Sequence, residues 1–254
     1  FKCDWSSDVC SSDLFLKVEQ QNILKLLRRV LGSKHLSLQN NFKYKEYWRK
    51  AGLKKYFGQI FIDIVNKKKP KNFLEIGVFT GVTARNVCEL LSLINNKDFF
   101  YLGIDLFEDF QEAIKNEVVP EFLIQKQNFS NPLKSLVYNF FLKEKLNSLN
   151  SVSKFLKKFE NNIELKKGNS LNILPKINLK IFDMIFVDGG HSYETVKFEL
   201  EIILKNIKDS CLVVCDDYSL HQAVGIKKAI DEIVIKNSCN LEVIANRFAC
   251  LNKK

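Results

Sequence analysis

The chain has 254 residues, 46% of them apolar, which suits one globular domain with a sizeable core, or one domain with a small helical extension. No apolar run reaches the roughly 18 residues that a membrane-spanning helix requires. The formal charge of +10 raises the question of a nucleic-acid partner. Lysine far outnumbers arginine, however, and is scattered rather than striped. Asn, Ile and Phe are also abundant, as the codon bias of an AT-rich genome would produce.

Residues 1–14 are expected to be foreign to the fold. "DWSSDVCSSDL", Asp4 to Leu14, has no apolar period and resembles the conceptual translation of a sequencing adapter, so the native start is expected to be missing. Outside this stretch lie five cysteines, Cys88, Cys211, Cys215, Cys239 and Cys250. The count is odd and there is no C-x-x-C. Cys211 and Cys215 flank "LVV" in an expected strand, so reduced thiols and a cytoplasmic location are expected.

Residues 15–31 show helical apolar spacing, ended by Gly32 and Ser33. "YKEYWRKAGLKKYFGQIFIDIVNKK" predicts one or two further helices before Pro70, giving an N-terminal helical extension over 15–69. From 70 to 254 the texture alternates. "NFLEIGV", "FFYLGID", "NIELKKGN", "FDMIFVD" and "CLVVCDD" read as buried strands, each followed by a helical pattern. "NLEVIAN" and "RFACLNKK" read as a closing hairpin. Five strand–helix alternations with uniformly apolar strands predict an α/β fold. Its sheet is doubly wound, Rossmann-like and mostly parallel, with about seven strands and helices on both faces. A stretch of about 119–160 does not fit the repeat and is too long for a simple loop. It reads as a helical insertion, either a substrate lid or a homo-oligomer surface.

Ligands of such sheets sit beyond the carboxyl ends of the strands. There "LEIGVFTG" places Glu75, Gly77, Thr80 and Gly81 between a strand and a helix N-terminus. This is not the G-x-G-x-x-G of a dinucleotide site, and Glu75 disfavours a pyrophosphate while favouring a cationic group such as an amine. Asp105, Asn169 and Asp188 end later strands. The ordered set resembles the class I S-adenosylmethionine-dependent methyltransferases over about 70–252. That resemblance implies that Glu75, Gly77, Thr80 and Gly81 cradle the methionine end of the cofactor. It further implies that Asp105 holds the ribose, that Asn169 and Ser170 touch the adenine, and that Asp188 borders the site.

Asp188 ends the fourth strand, and Asp216 and Asp217 end the fifth. Three carboxylates in one pocket repel unless something neutralises them, and a divalent cation such as Mg²⁺ is the simplest solution. His191, three residues after Asp188, is placed to remove a proton from an acceptor hydroxyl, with Gly189 and Gly190 keeping the turn open. "DGGH", "DDY" and "VGIKKAIDE" resemble the branch of Mg²⁺-dependent sugar-modifying enzymes around macrocin O-methyltransferase. By that resemblance Asp188, Asp216 and Asp217 are metal ligands and His191 is the general base. Tyr193, Tyr218 and His221 lie near the same rim in the sequence reading, and Tyr44, Tyr47 and Trp48 are either pocket caps or core staples. The expected partner is a small hydroxylated acceptor, a sugar or glycosylated metabolite. The alternatives are a nucleic-acid methyltransferase, disfavoured by the absence of an Asn/Asp-Pro-Pro-aromatic tetrad, and a non-catalytic nucleotide-binding protein.

Overall fold

The computed structural model describes residues 42–47, 49–109 and 145–254. The expected foreign segment 1–14, the helix over 15–31, Trp48, most of the helix after the second strand and residues 119–144 of the expected insertion lie outside these.

Seven strands form one sheet: β1 (Asn72–Ile76), β2 (Phe100–Asp105), β3 (Ile163–Lys167), β4 (Met184–Val187), β5 (Leu212–Cys215), β6 (Asn240–Ile244) and β7 (Phe248–Asn252). Their order is β3-β2-β1-β4-β5-β7-β6. The first five are parallel; β7 returns antiparallel beside β5, and β6 pairs antiparallel with β7. The described helices are α1 (Lys55–Lys68), α2 (Val82–Ile94), α3 (Leu149–Leu156), the single turn α4 (Ser170–Ile173), α5 (Tyr193–Asn206) and α6 (Val224–Lys236). This is the doubly wound, mostly parallel sheet that the alternation predicted.

Strand period explains the two cores. Successive residues point to opposite faces, so Leu74, Ile76, Leu102, Ile104, Ile185 and Val187 pack on one side against α5 and α6. Phe73, Tyr101, Met184 and Phe186 pack on the other side against α1 and α2. There Phe61 of α1 lies 4.1 Å from Phe186 and 5.8 Å from Phe248, centroid to centroid. The edge strands β3 and β6 are only partly buried and carry charged side chains, which blunts edge-to-edge pairing.

The structure departs from the sequence reading between 42 and 54. The described residues of this segment, 42–47 and 49–54, form an irregular strap and not a helix. Its backbone groups are taken by side chains of other elements. The Tyr44 amide donates to Gln59 (2.9 Å) and the Lys45 amide to Asn86 (2.8 Å). Tyr44 stays buried, lies flat over Gly58 and donates its hydroxyl to the Leu53 carbonyl at 3.1 Å. A β-carbon on Gly58 would fall 2.4 Å from the Tyr44 ring, so the glycine makes room for the strap.

Candidate active site

The strand order reverses between β1 and β4, and the crevice at their carboxyl ends is where the expected residues gather. Gly77 leaves β1 with φ +93, a conformation that favours glycine. A β-carbon there would fall 2.4 Å from the Asp188 carbonyl oxygen, so the loop can cross the end of β4 only without a side chain. Gly81, at φ +82, caps the start of α2. The two glycines therefore shape a cradle at a helix N-terminus, whose free amides suit an anionic group.

Asp105 builds that cradle. One carboxylate oxygen accepts from the Phe79 amide at 2.8 Å and the other accepts from the Phe107 amide. Burial nonetheless holds its carboxyl above the usual range, opposed by these backbone bonds. Glu75 is fully buried. Its Oε2 accepts from the Tyr101 hydroxyl at 2.5 Å, while Oε1 has no hydrogen-bond partner among the described residues. Burial pushes its pKa up to about 8. An orphaned, buried carboxylate oxygen is what an incoming ammonium group would satisfy.

Other expected contact residues also bond within the protein. The Thr80 hydroxyl donates to the Lys50 carbonyl of the strap. Asn169 caps α4 by accepting from the Leu171 amide at 2.9 Å, and the Ser170 hydroxyl bonds the buried Glu199 of α5. Tyr193 and Tyr218 turn away from the crevice. Their hydroxyls reach Glu232 (2.6 Å) and Asp231 (2.7 Å) of α6. His221 lies exposed in a short turn before α6. Tyr47 donates to Glu89 of α2 at 3.0 Å, a packing role like that of Tyr44.

The acidic cup forms as the residues at the strand tips predicted. One ligand atom from each of Asp188, Asp216 and Asp217 lies within 4.8 Å of the others. The Asp188 amide is tied to Ile76 (2.8 Å) and the Asp216 amide to Val187 (2.9 Å), which fixes both strand ends in register. Asp217 has φ +57, an uncommon conformation for a residue with a side chain, at the step where the chain leaves β5. His191 lines the same pocket, with Nε2 3.5 Å from the Asp217 carboxylate. Ser192 caps α5 by accepting from the Thr195 amide (3.2 Å), which holds the "DGGH" turn at the mouth.

Sequence reasoning missed Arg247. It sits in the β6–β7 turn, and because β7 runs beside β5, the start of β7 lies at the carboxyl end of β5. The Tyr218 amide donates to the Arg247 carbonyl at 2.9 Å, locking the two together. Its guanidinium forks onto Asp216, with Nε and Nη2 each 2.6 Å from a different oxygen. Nη2 also lies 3.2 Å from Asp217. The signal available in the sequence was an arginine opening the last strand of a predicted hairpin.

Charge in the cup can be counted. Three carboxylates against one guanidinium leave two formal negative charges. Burial, then Asp216 and Asp217, raise the Asp188 carboxyl well above its usual range. Burial also raises Asp216, offset in part by the Arg247 bonds. The cup thus resists full ionisation, and a divalent cation would balance it in both sign and number. Hard oxygen donors are the chemistry that suits Mg²⁺ or a similar ion.

The strap closes one side. Arg49 donates to the Thr80 carbonyl (2.9 Å), the Leu146 carbonyl (3.1 Å) and Ser151 (2.8 Å to Oγ). Gly52 passes Asp188 closely enough that a β-carbon would lie 3.6 Å from its Oδ2.

Residues 74–218 match a family described as "Methyltransferase domain". The chain belongs to that family. It is a class I S-adenosylmethionine-dependent methyltransferase, with the Rossmann-like sheet of that class. No curated protein is significantly similar to the methyltransferase in sequence. Among solved structures, calicheamicin methyltransferase CalS11 is similar in fold at 15% identity, covering 78% of this chain and 79% of that one, with a TM-score of 0.54. PaMTH1 of Podospora anserina, bound to S-adenosylhomocysteine, matches at 15% identity over 80% of each chain, with a TM-score of 0.52. The O-methyltransferase TomG of Streptomyces achromogenes, bound to S-adenosylmethionine, matches at 16% identity over 80% and 82%, with a TM-score of 0.50.

Proposed function

We propose that the methyltransferase is a Mg²⁺-dependent O-methyltransferase acting on a small hydroxylated molecule, a sugar or glycosylated metabolite. The observation that carries this reading is the acidic cup with a histidine on its rim, next to the glycine cradle. Glu75, Gly77 and Gly81 would receive the methionine end of S-adenosylmethionine. Asp105 would take the ribose, and Asn169 with Ser170 the adenine end. S-adenosylmethionine supplies the methyl group as a sulfonium, and a divalent cation held by Asp188, Asp216 and Asp217 would hold the acceptor's oxygens and lower a hydroxyl pKa.

His191 performs the proton transfer. Its Nε2 lies 3.5 Å from the Asp217 carboxylate, which stabilises the imidazolium formed when the ring accepts the proton of the acceptor hydroxyl. The deprotonated acceptor oxygen would be the nucleophile toward the methyl group that S-adenosylmethionine would supply. The strap and the glycine turn at 189–190 exclude water on one side and admit acceptor on the other. TomG, an O-methyltransferase of tomaymycin synthesis, and CalS11, a calicheamicin methyltransferase, support an acceptor of natural-product size. Five buried, unbridged cysteines support a reducing, cytoplasmic setting, and among the described residues no helix is long and apolar enough to cross a membrane.

The test is S-adenosylhomocysteine formation against a panel of nucleotide sugars and phenolic glycosides. Turnover is expected to fall at least a hundredfold in EDTA and to return with Mg²⁺. Undiminished turnover in chelator would remove the metal from the reaction.

A further inference from the structure

Arg247 already holds the carboxylate a metal ion would need. Its fork takes both oxygens of Asp216, whose side chain is only 1% exposed. A Mg²⁺-sized ion needs one of those oxygens at about 2.1 Å, which would bring it against the guanidinium across a shared carboxylate. The guanidinium also has a second resting surface. Its central carbon lies 4.7 Å from the centroid of the Phe57 ring of α1, so it can leave Asp216 without leaving the protein's aromatic wall. With Asp217 held only at 3.2 Å, the Asp216 fork is the strong half of the contact.

We infer that Arg247 is a resident counter-cation that competes with the divalent ion for Asp216. The ion binds by taking Asp216 from the guanidinium, and Arg247 thereby sets the affinity of the metal site. This inference rests on the metal reading above. It adds a residue that governs cation affinity rather than one that contacts the reacting atoms. In the cation-free protein the guanidinium keeps three adjacent carboxylates tolerable. Once an ion supplies two positive charges, ion and guanidinium together balance the three carboxylates, so the contest between them is for the oxygens of Asp216 and not for net charge.

The experiment is a Mn²⁺ titration of the full cofactor-free chain, read by loss of the free-ion EPR signal, for wild type, R247M and R247K. R247M keeps the length and packing on Phe57 without charge; R247K keeps one charge but cannot fork. R247M is expected to bind Mn²⁺ at least tenfold more tightly than wild type, and R247K to fall between. R247M should also melt lower without metal and gain more in melting temperature on adding Mn²⁺. Equal or weaker binding by R247M overturns the inference while leaving the metal reading intact. Binding by R247M but not by wild type supports the competition and removes the metal from the native reaction. Binding by neither overturns both. Should circular dichroism show R247M unfolded even with Mn²⁺, R247K decides: tighter than wild type supports the inference, equal or weaker overturns it.

Discussion

Glu75 carries a strong pH signature because it is a carboxyl with no exposure and one orphaned oxygen. Burial lifts its pKa from an ordinary 4.5 to about 8, with the Tyr101 bond opposing. A folded value above the unfolded one means that the folded state keeps the proton longer. The contribution to stability is therefore whole below about pH 4.5 and is lost as the pH rises towards 8, at roughly 1.4 kcal/mol per pH unit at most. The melting temperature of the unliganded protein is expected to drop across this window, and E75Q to flatten the drop; parallel curves for the two proteins would contradict it. Cofactor binding should couple to the same proton. An ammonium group set against Glu75 favours the charged carboxylate. Calorimetry at pH 7 in buffers of different ionisation enthalpy should then show release of most of one proton, and none from E75Q.

Two elements, the strap over 42–54 and the β6–β7 hairpin, decide how the site is closed, and both were hard to read. The apolar and aromatic spacing of the strap imitates a helix, yet its backbone amides are claimed by Gln59 and Asn86 from other helices, contacts that no local pattern announces. The hairpin was legible as a hairpin, but not as the carrier of Arg247, because neither its register nor its neighbour β5 is written in its own sequence. Its turn places Ala245 and Asn246 at φ +52 and +54, the left-handed pair of a type I′ turn. Alanine costs about 1 kcal/mol in that conformation, and asparagine less. A245N is expected to stabilise the protein by about 0.5–1 kcal/mol, seen as a rise of a few degrees in melting temperature by scanning calorimetry. A fall instead would mean that the turn is not the I′ type. The acidic cup, by contrast, was legible, because Asp188 and Asp216 each directly follow an apolar strand and Asp217 is the next residue after Asp216. Thr80 and Asn169 were read by resemblance as cofactor contacts, whereas their backbone partners, the Lys50 carbonyl and the Leu171 amide, could not be read from the loop pattern.

At the scale of the molecule, the fold followed from period alone: apolar strands alternating with helices leave few arrangements besides a parallel sheet covered on both faces, and the charged β3, expected to be buried like the rest, lies at the sheet edge. What period cannot give is adjacency. The order β3-β2-β1-β4-β5-β7-β6 sets Gly77 against Asp188, and sets a residue of the last hairpin against the tip of β5. That second adjacency has a temporal side. Arg247 follows Asp216 by 31 residues. During synthesis the three acids therefore leave the ribosome well before the positive charge that makes their proximity bearable. A nascent chain that has folded its parallel strands must leave this corner open, or protonated, until the hairpin arrives, so docking of the hairpin is expected to follow folding of the parallel strands.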